Sequence, residues 1–214
     1  YVHAKEPNNV KSYLKKYILK EYVKTTWAGF GIVKAEVKLL EAAFENQENK
    51  WFVLMSNSCY PLLTYNQLNN ELNKNDNKYS FFSYVKEENG MQKTSQFWIL
   101  NRRDVGVIIN TQNKYFELYC KKHVMDERYF LTVLMKEIPD YKYNNKTPTY
   151  SRWIDGVNSY HPIIFNRLTP YDKKLFKEKN YFFFRKISDK FVMETITPKS
   201  NLWLIYIDSM NDEN

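Results

Sequence analysis

Residues 32–62 combine a helical apolar pattern, a strand and a polar turn, and this order limits the folds open to the chain. Apolar side chains recur at the spacing of one helix face at Val33, Val37, Leu40 and Phe44. The apolar run at 51–55 has the length of a buried strand, and the polar turn at 56–61 ends it. A helix followed by a buried strand predicts an α/β domain, in which a polar turn after a strand is a common ligand site. A plain connection between helix and strand explains the same residues without a ligand.

The remaining stretches predict further helices and strands. Strands are expected at residues 1–4, 79–85, 96–100, 181–184 and 202–207. Helices are expected from the Asn8-Asn9 cap to Ile18 and at residues 65–72, 102–110 and 115–120. The charged segment 86–93 predicts a mobile loop, and residues 140–180 predict loops and short strands. Together these elements predict a mixed sheet flanked by helices.

The composition argues against several classes of protein. Of the 214 residues 43% are hydrophobic, which is enough for a folded core. Two cysteines without a Cys-x-x-Cys or Cys/His cluster argue against a disulfide framework and a zinc site. No run of roughly 18 apolar residues is present to span a membrane. The net charge of +8 favours an anionic partner, although lysines spread along the chain also fit an ordinary solvated surface.

An acidic pair, Asp126-Glu127, precedes an apolar stripe formed by Phe130, Leu131 and Leu134. The pattern predicts a helix with Asp126 at the N-cap and Glu127 in the first turn. The helix dipole favours the ionised form of a carboxylate in that position. An ionised carboxylate on a rigid element suits a general base. For this stretch taken alone, an ordinary capped helix with a solvated Glu127 is the favoured interpretation.

Seven segments of the chain resemble, in order, the Core-2/I-branching family of glycosyltransferases. They are residues 27–36, 51–62, 95–98 with Asn101-Arg102, 124–130, 149–153, 161–165 and 183–188. The resemblance extends from about residue 1 to residue 190. It implies a variant of the GT-A nucleotide-sugar transferase fold, with the family's first strand missing from these residues. It also implies transfer from a UDP-sugar with inversion, N-acetylglucosamine being the family's commonest donor sugar.

The resemblance assigns a role to individual residues. Glu127 matches the family's base, Lys186 matches its diphosphate-binding lysine, and His3 matches a residue near the nucleotide. The family's partner arginine falls near Tyr160, which is not basic, so Arg167 is expected to supply that charge. Considered without the resemblance, Lys186 also fits an ordinary surface lysine at a strand end.

Two further residues match the acceptor region. Trp153 matches an aromatic residue there, and Glu87 lies in the loop that contacts the acceptor. Core packing is the alternative for Trp153, and a solvated loop is the alternative for Glu87.

Neither a metal nor another cofactor is expected. Many transferases of this fold hold a metal with Asp-x-Asp, and no Asp-x-Asp occurs in the chain. Basic side chains are expected on the diphosphate instead, as the resemblance implies, because the leaving UDP needs its negative charge neutralised.

We expect one glycosyltransferase domain over residues 1–207, followed by a frayed tail at 208–214. Residues 1–75 are expected to form a nucleotide-binding half and residues 76–207 an acceptor and catalytic half. The expected partners are a UDP-sugar and a glycan acceptor, not nucleic acid, with membrane attachment only through a segment preceding residue 1. The location would be the Golgi lumen for a cellular eukaryotic enzyme and the cytoplasm for a microbial or viral one. The alternative function is an inactive transferase-like module that binds an acidic glycan or nucleic acid.

Overall fold

The computed structural model of the protein describes residues 1–74, 78–154, 161–188, 191 and 205–207. In chain order the strands are β1 (Val2–His3), β2 (Trp51–Ser56), β3 (Tyr60–Pro61), β4 (Phe81–Phe82), β5 (Tyr84–Glu88), β6 (Met91–Thr94), β7 (Ile99–Asn101), β8 (Asn144–Asn145), β9 (Thr149–Ser151), β10 (Phe183–Arg185) and β11 (Ile205–Ile207). The α-helices are α1 (Gly31–Phe44), α2 (Tyr65–Leu72), α3 (Arg102–Tyr119), α4 (Tyr129–Glu137) and α5 (Pro170–Lys179). Short 3-10 helices occur at Pro7–Asn9 and Ser12–Tyr17.

The chain divides into two compact units that interleave along the sequence. The first unit comprises the described residues of Tyr1–Asn57, Lys78–Lys146 and Trp203–Asn214. The second unit comprises the described residues of Ser58–Asn77 and Thr147–Leu202. The assignment of a nucleotide-binding role to residues 1–75 and of an acceptor role to 76–207 stays a prediction.

A mixed sheet runs through the first unit. Its described strands have the order β1-β11-β2-β7-β4-β8. The pairs β1/β11, β11/β2 and β4/β8 are parallel, whereas β7 is antiparallel to both β2 and β4. Five consecutive residues of β2, Phe52 to Ser56, are buried, as expected for a strand covered on both faces. This arrangement confirms the predicted α/β class with a mixed sheet.

Helix α1 confirms the prediction from the apolar spacing. Val33, Val37 and Leu40 are fully buried in its inward face, which contacts α3, β1, β2 and β11. Strand β2 and helix α2 also match their predicted positions. Helix α2 begins at a complete capping box formed by Thr64 and Gln67.

Helix α3 is continuous, so the predicted break between residues 110 and 115 is wrong. The polar residues in that interval suggested a gap in the helix. However, one face of the helix is buried on both sides of this interval, at Val105, Ile108, Tyr115 and Tyr119. Burial of that face stabilises a continuous helix across the polar segment. Before α3, the Asn101 side chain accepts a hydrogen bond from the Asp104 backbone N–H at 2.8 Å, which caps the helix.

The N-terminal segment also differs from its prediction. Instead of one α-helix from Asn8-Asn9 to Ile18, two short 3-10 helices occur there. The Leu19 backbone N–H bonds to the Val2 carbonyl at 2.8 Å, and Ile18 forms a bridge to Val2. Pairing with β1 therefore sets an extended backbone at the point where the predicted helix would end.

The predicted mobile loop at residues 86–93 is a β-hairpin formed by β5 and β6. Its turn is Asn89-Gly90, with φ of 53° and 71°. Two successive positive φ values favour this residue pair and match the twist of a tight hairpin. Met91 and Thr94 are buried, so β6 packs against the unit rather than projecting into solvent.

The second unit contains the strand order β3-β10-β9, with β10 antiparallel to β3 and parallel to β9. Phe165, Phe176 and Phe184 form its buried cluster. Helix α5 was not predicted within residues 140–180. It begins at Pro170 after a capping box between Thr169 and Asp172, so a local signal was present.

No helix among the described residues is both long enough and apolar enough to cross a membrane. The strand predicted at 202–207 is described only for residues 205–207. The predicted tail at 208–214 lies outside the described residues.

Candidate active site

The acidic pair lies in a turn before α4, so the prediction that Asp126 caps the helix is wrong. Helix α4 begins at Tyr129, and Arg128 is its N-cap. The backbone N–H groups of Arg128 and Tyr129 both donate to the Met125 carbonyl, at 3.0 and 2.7 Å. The helix therefore begins two residues later than predicted, and Glu127 precedes it instead of lying in its first turn. The predicted apolar stripe is confirmed, since Phe130, Leu131 and Leu134 are all buried.

The turn is entered through an uncommon backbone conformation. Val124 has φ of 52°, in the left-handed region that β-branched residues rarely occupy. Its N–H donates to the Ala28 carbonyl at 2.8 Å, and Ala28 itself has φ of 55°. Backbone strain of this kind persists only where surrounding contacts enforce it, and it is concentrated at functional sites. The contact with residue 28 explains why a local helix pattern could not predict the turn.

A hydrogen bond fixes the backbone of Glu127, while its side-chain carboxylate is partly exposed to solvent. The Glu127 carbonyl accepts a hydrogen bond from the Thr94 backbone N–H at 2.7 Å. Its side chain is 34% exposed, and Oε2 lies 3.6 Å from the Lys93 Nζ. A partly exposed carboxylate beside one cation is accessible to a substrate and can accept a proton.

The hairpin carries a second charged pair beside the acidic turn. Arg128 Nη2 contacts Glu88 Oε2 at 2.5 Å, and Arg128 Nη1 donates to the Val124 carbonyl at 2.9 Å. Hydrogen bonds from Lys86 and Arg128 lower the pKa of Glu88 to about 2, so Glu88 is an anion at neutral pH. Glu87, the predicted acceptor contact, is exposed on β5, and its Oε2 accepts a 3.3 Å hydrogen bond from Gln92.

Two carboxyl groups near Glu127, the half-buried Asp126 and the fully buried Glu36, have raised pKa values. Burial, followed by the charge of Glu127, raises the pKa of Asp126 to about 6. Glu36 of α1 is completely buried, and Gln96 Nε2 donates to its Oε1 at 3.4 Å. Burial, followed by the charge of Asp126, raises the pKa of Glu36 well above its usual value. Burial therefore favours the neutral form of Glu36. Asp126, with a pKa of about 6, is still mostly ionised at neutral pH and adds negative charge beside Glu127.

Glu36 was not predicted as part of the site, although the sequence contained a signal. It lies three residues after Val33 and four before Leu40, on the buried face of α1. A charged residue within an apolar helix stripe is uncommon without a specific environment. The environment here includes a second carboxyl group, Asp126, which no local pattern of α1 could reveal.

His3 lies in β1, buried at the sheet edge. Its Nε2 is 3.0 Å from the Val23 carbonyl and 3.2 Å from the Val23 N–H. The imidazole ring stacks on Tyr22 with 5.2 Å between the ring centroids. These contacts fix the ring orientation, while the predicted nucleotide role stays a prediction.

The second unit contains the other predicted donor and acceptor residues. The Lys186 carbonyl accepts a hydrogen bond from the Phe165 N–H at 2.6 Å, and Phe165 bridges to Ile187. The unit therefore brings the segment that carries Lys186 beside the one that continues to Arg167. Lys186 is half-buried, whereas Arg167 is exposed in the loop before α5.

Trp153 follows β9 in the second unit and is 50% exposed. The neighbouring residue, Arg152, forms an ion pair with the buried Asp172, and its guanidinium lies 4.7 Å from the Phe165 ring centroid. The Arg152 carbonyl accepts a hydrogen bond from the Ile163 N–H at 2.8 Å. An exposed indole beside an anchored residue offers an open aromatic face, which core packing would have hidden.

Two further points concern the position expected for the family's arginine and the residues that could hold a metal. Tyr160, the position expected for the family's arginine, lies outside the described residues. Within the part of the chain that is described, no group of three or more His, Cys, Asp or Glu side chains is arranged to hold a metal ion.

Comparison with protein families identifies one match. The model of the family described as "Branch: Core-2/I-Branching enzyme" matches residues 1–91 and 83–178, two overlapping segments that cover most of the chain. A comparison with curated proteins finds no significant match.

Proposed function

Because the chain belongs to the Core-2/I-branching enzyme family, we propose that it transfers N-acetylglucosamine from UDP to a glycan hydroxyl with inversion, using Glu127 as the base. Family membership implies a glycosyltransferase with a nucleotide-sugar donor and a glycan acceptor. The observation that carries the finer proposal is the position of Glu127. Its carboxylate is partly exposed in a strained turn, with Lys93 at 3.6 Å.

The proposed reaction is a single in-line displacement. The acceptor hydroxyl oxygen forms a bond to the anomeric carbon of the donor, and the bond from that carbon to the diphosphate oxygen breaks. UDP leaves with the electron pair, and the hydroxyl proton passes to the Glu127 carboxylate. A hydroxyl is a poor nucleophile until a base removes its proton, so this step depends on a carboxylate within reach of the acceptor.

The leaving diphosphate gains negative charge that must be stabilised. We assign that role to Lys186 and Arg167, basic side chains in place of a metal. The adjacency of their segments, through Phe165, supports a shared anion site in the second unit. The absence of Asp-x-Asp in the sequence supports the same assignment. The fold would then be a variant of the GT-A type.

The remaining predicted residues take binding roles. His3 would help to hold the nucleotide, and its fixed ring orientation beside Tyr22 suits such a contact. Trp153 would stack on the acceptor sugar, which its exposed indole permits. Glu87 would accept a hydrogen bond from an acceptor hydroxyl, since its side chain is exposed on β5.

A transfer assay with EDTA tests the proposal. The purified protein is incubated with UDP-N-acetylglucosamine and a glycan acceptor, and released UDP and glycosylated product are both measured. We expect transfer at the same rate with and without EDTA. A strict requirement for Mn²⁺ would contradict the basic-residue assignment, and no turnover with any UDP-sugar would contradict the transferase proposal. Salt-sensitive polyanion binding without affinity for UDP would favour the inactive binding module.

A further inference from the structure

The β5–β6 hairpin is attached to the acidic turn and α4 at several separate points. Thr94 N–H donates to the Glu127 carbonyl at 2.7 Å, and Gln92 N–H donates to Thr132 Oγ1 at 2.8 Å. Arg128 contacts Glu88 on the opposite hairpin strand at 2.5 Å. Attachment through both strands restricts the hairpin from moving independently of the turn.

Arg128 connects three parts of this arrangement. Only 15% of its side chain is exposed. One guanidinium nitrogen donates to the Val124 carbonyl at 2.9 Å, while the other contacts the Glu88 carboxylate. A planar guanidinium can make both contacts at a fixed angle, which a lysine ammonium on a flexible stem cannot reproduce. Its partner carbonyl belongs to the residue with the strained φ.

The same arrangement supplies the cation beside Glu127. Lys93 lies on β6, one residue before Thr94, and its Nζ is 3.6 Å from Glu127 Oε2. The position of Lys93 relative to Glu127 is therefore set by the attachment of the hairpin. Loosening the hairpin would move both the backbone contact of Glu127 and its neighbouring charge.

We propose that the Arg128–Glu88 ion pair fastens the β5–β6 hairpin to the acidic turn and thereby holds the Glu127 carboxylate in its reactive orientation. Arg128 and Glu88 are positioning residues and do not contact the substrate. The inference rests on the proposed function, because an orientation is reactive only if Glu127 is the base. Misplacing a catalytic group by about 1 Å is enough to slow a reaction by roughly a hundredfold.

The kinetic test uses Arg128→Met and Glu88→Gln, which each remove the charge pair from one side. Each single variant should lower kcat roughly tenfold to a hundredfold while leaving KM for UDP-N-acetylglucosamine within about twofold. The double variant should be no slower than the slower single variant, because both remove one interaction. Lys86→Met is the matched control: Lys86 pairs with the same carboxylate at 2.7 Å but is 56% exposed and does not contact the turn. It should leave kcat unchanged.

Amide hydrogen exchange at residues 84–94 tests the attachment without depending on activity. Exchange should accelerate in Glu88→Gln and Arg128→Met and stay as in the wild type in Lys86→Met. Unchanged exchange would overturn the attachment, and faster exchange with an unchanged kcat would overturn the positioning role. If Arg128→Met fails to fold, Glu88→Gln, which preserves side-chain shape, decides the question alone. A wild-type protein without transferase activity would instead overturn the proposed function and with it the positioning role, while exchange still decides the attachment.

Discussion

Asp126 should lower the stability of the folded protein at neutral pH, and Asp126→Asn should restore that stability. Burial, followed by the charge of Glu127, raises the pKa of Asp126 from 3.8 to about 6. Backbone N–H groups of residues 126 and 127 oppose this rise without cancelling it. An Asn side chain keeps the size of Asp and one acceptor oxygen for those N–H groups, but it carries no charge.

The sign follows from the raised pKa. Below pH 3.8 the group is protonated in both the folded and unfolded states, so it does not oppose folding. As the pH rises from there through about 6, the unfolded chain releases its proton first, and stability is lost. The difference of about two pKa units, at roughly 1.4 kcal/mol each, gives a loss of at most about 3 kcal/mol above pH 6.

Urea unfolding at a series of pH values between 4 and 8 measures this loss. Asp126→Asn should match the wild type near pH 4 and exceed it by about 1–3 kcal/mol at pH 7 and above. Asp140→Asn is the matched control, because Asp140 is exposed and Asn tolerates its positive φ of 52°. The control measures how an Asp→Asn change at an exposed site affects stability over the same pH range.

A stability difference between Asp126→Asn and the wild type that is constant across pH would refute the reasoning. So would a variant that is less stable than the wild type at pH 7. The first result would mean that Asp126 has the same pKa in the folded and unfolded chains, and the second that the fold favours its charged form; both are contrary to a pKa raised by burial.

Three further variants test separate parts of the structure. Burial, followed by the charge of Asp126, raises the pKa of Glu36 well above 4.5, so the folded protein loses stability as the pH rises from 4.5 through that raised pKa. In urea unfolding, the stability of Glu36→Gln relative to the wild type should therefore increase with pH, and a constant difference would contradict this. Val124→Asn should raise the unfolding free energy by about 1 kcal/mol, because Asn tolerates the left-handed φ of 52°; lower stability would show that Val124 is not strained. Thr169→Ala should cost about 1 kcal/mol in the same assay through loss of the capping box with Asp172, and an unchanged midpoint would argue against that cap.

The sequence predicted those helices and strands whose apolar pattern alone shows which face is buried. The stripe of Val33, Val37 and Leu40 predicted α1, and the apolar run at 51–55 predicted β2, because each pattern leaves one stable way to cover its apolar surface. The mixed α/β class followed from the order of such elements. The Asn89-Gly90 turn was also a local signal, but the surrounding charges suggested a loop instead of a hairpin.

The start of α4 could not be predicted from its own residues. Asp126 is a suitable N-cap residue, yet the Val124 contact with Ala28 sets the preceding backbone from nearly a hundred residues away. Long-range contacts of this kind override local helix signals. The break predicted in α3 was wrong for a related reason. Burial of Tyr115 and Tyr119 in the fold stabilises the helix across its polar interval.

The candidate site was only partly predictable. The resemblance identified Glu127, but the Arg128–Glu88 contact requires the register of the hairpin, and the charge of Asp126 near Glu36 requires the packing of α1. Neither could be read from local spacing. The donor and acceptor roles of Lys186, Arg167, His3, Trp153 and Glu87 stay predictions that variants of each residue can test.

The transfer rate of Glu127→Gln at saturating UDP-N-acetylglucosamine tests the central claim most directly. Gln preserves the shape of Glu but cannot take the proton of the acceptor hydroxyl, so the rate should fall by roughly 10²–10⁴-fold. Affinity for UDP, measured by calorimetry on the same preparation, should stay unchanged. A rate within a few-fold of the wild type, or a loss of UDP affinity, would contradict the role of Glu127 as the base.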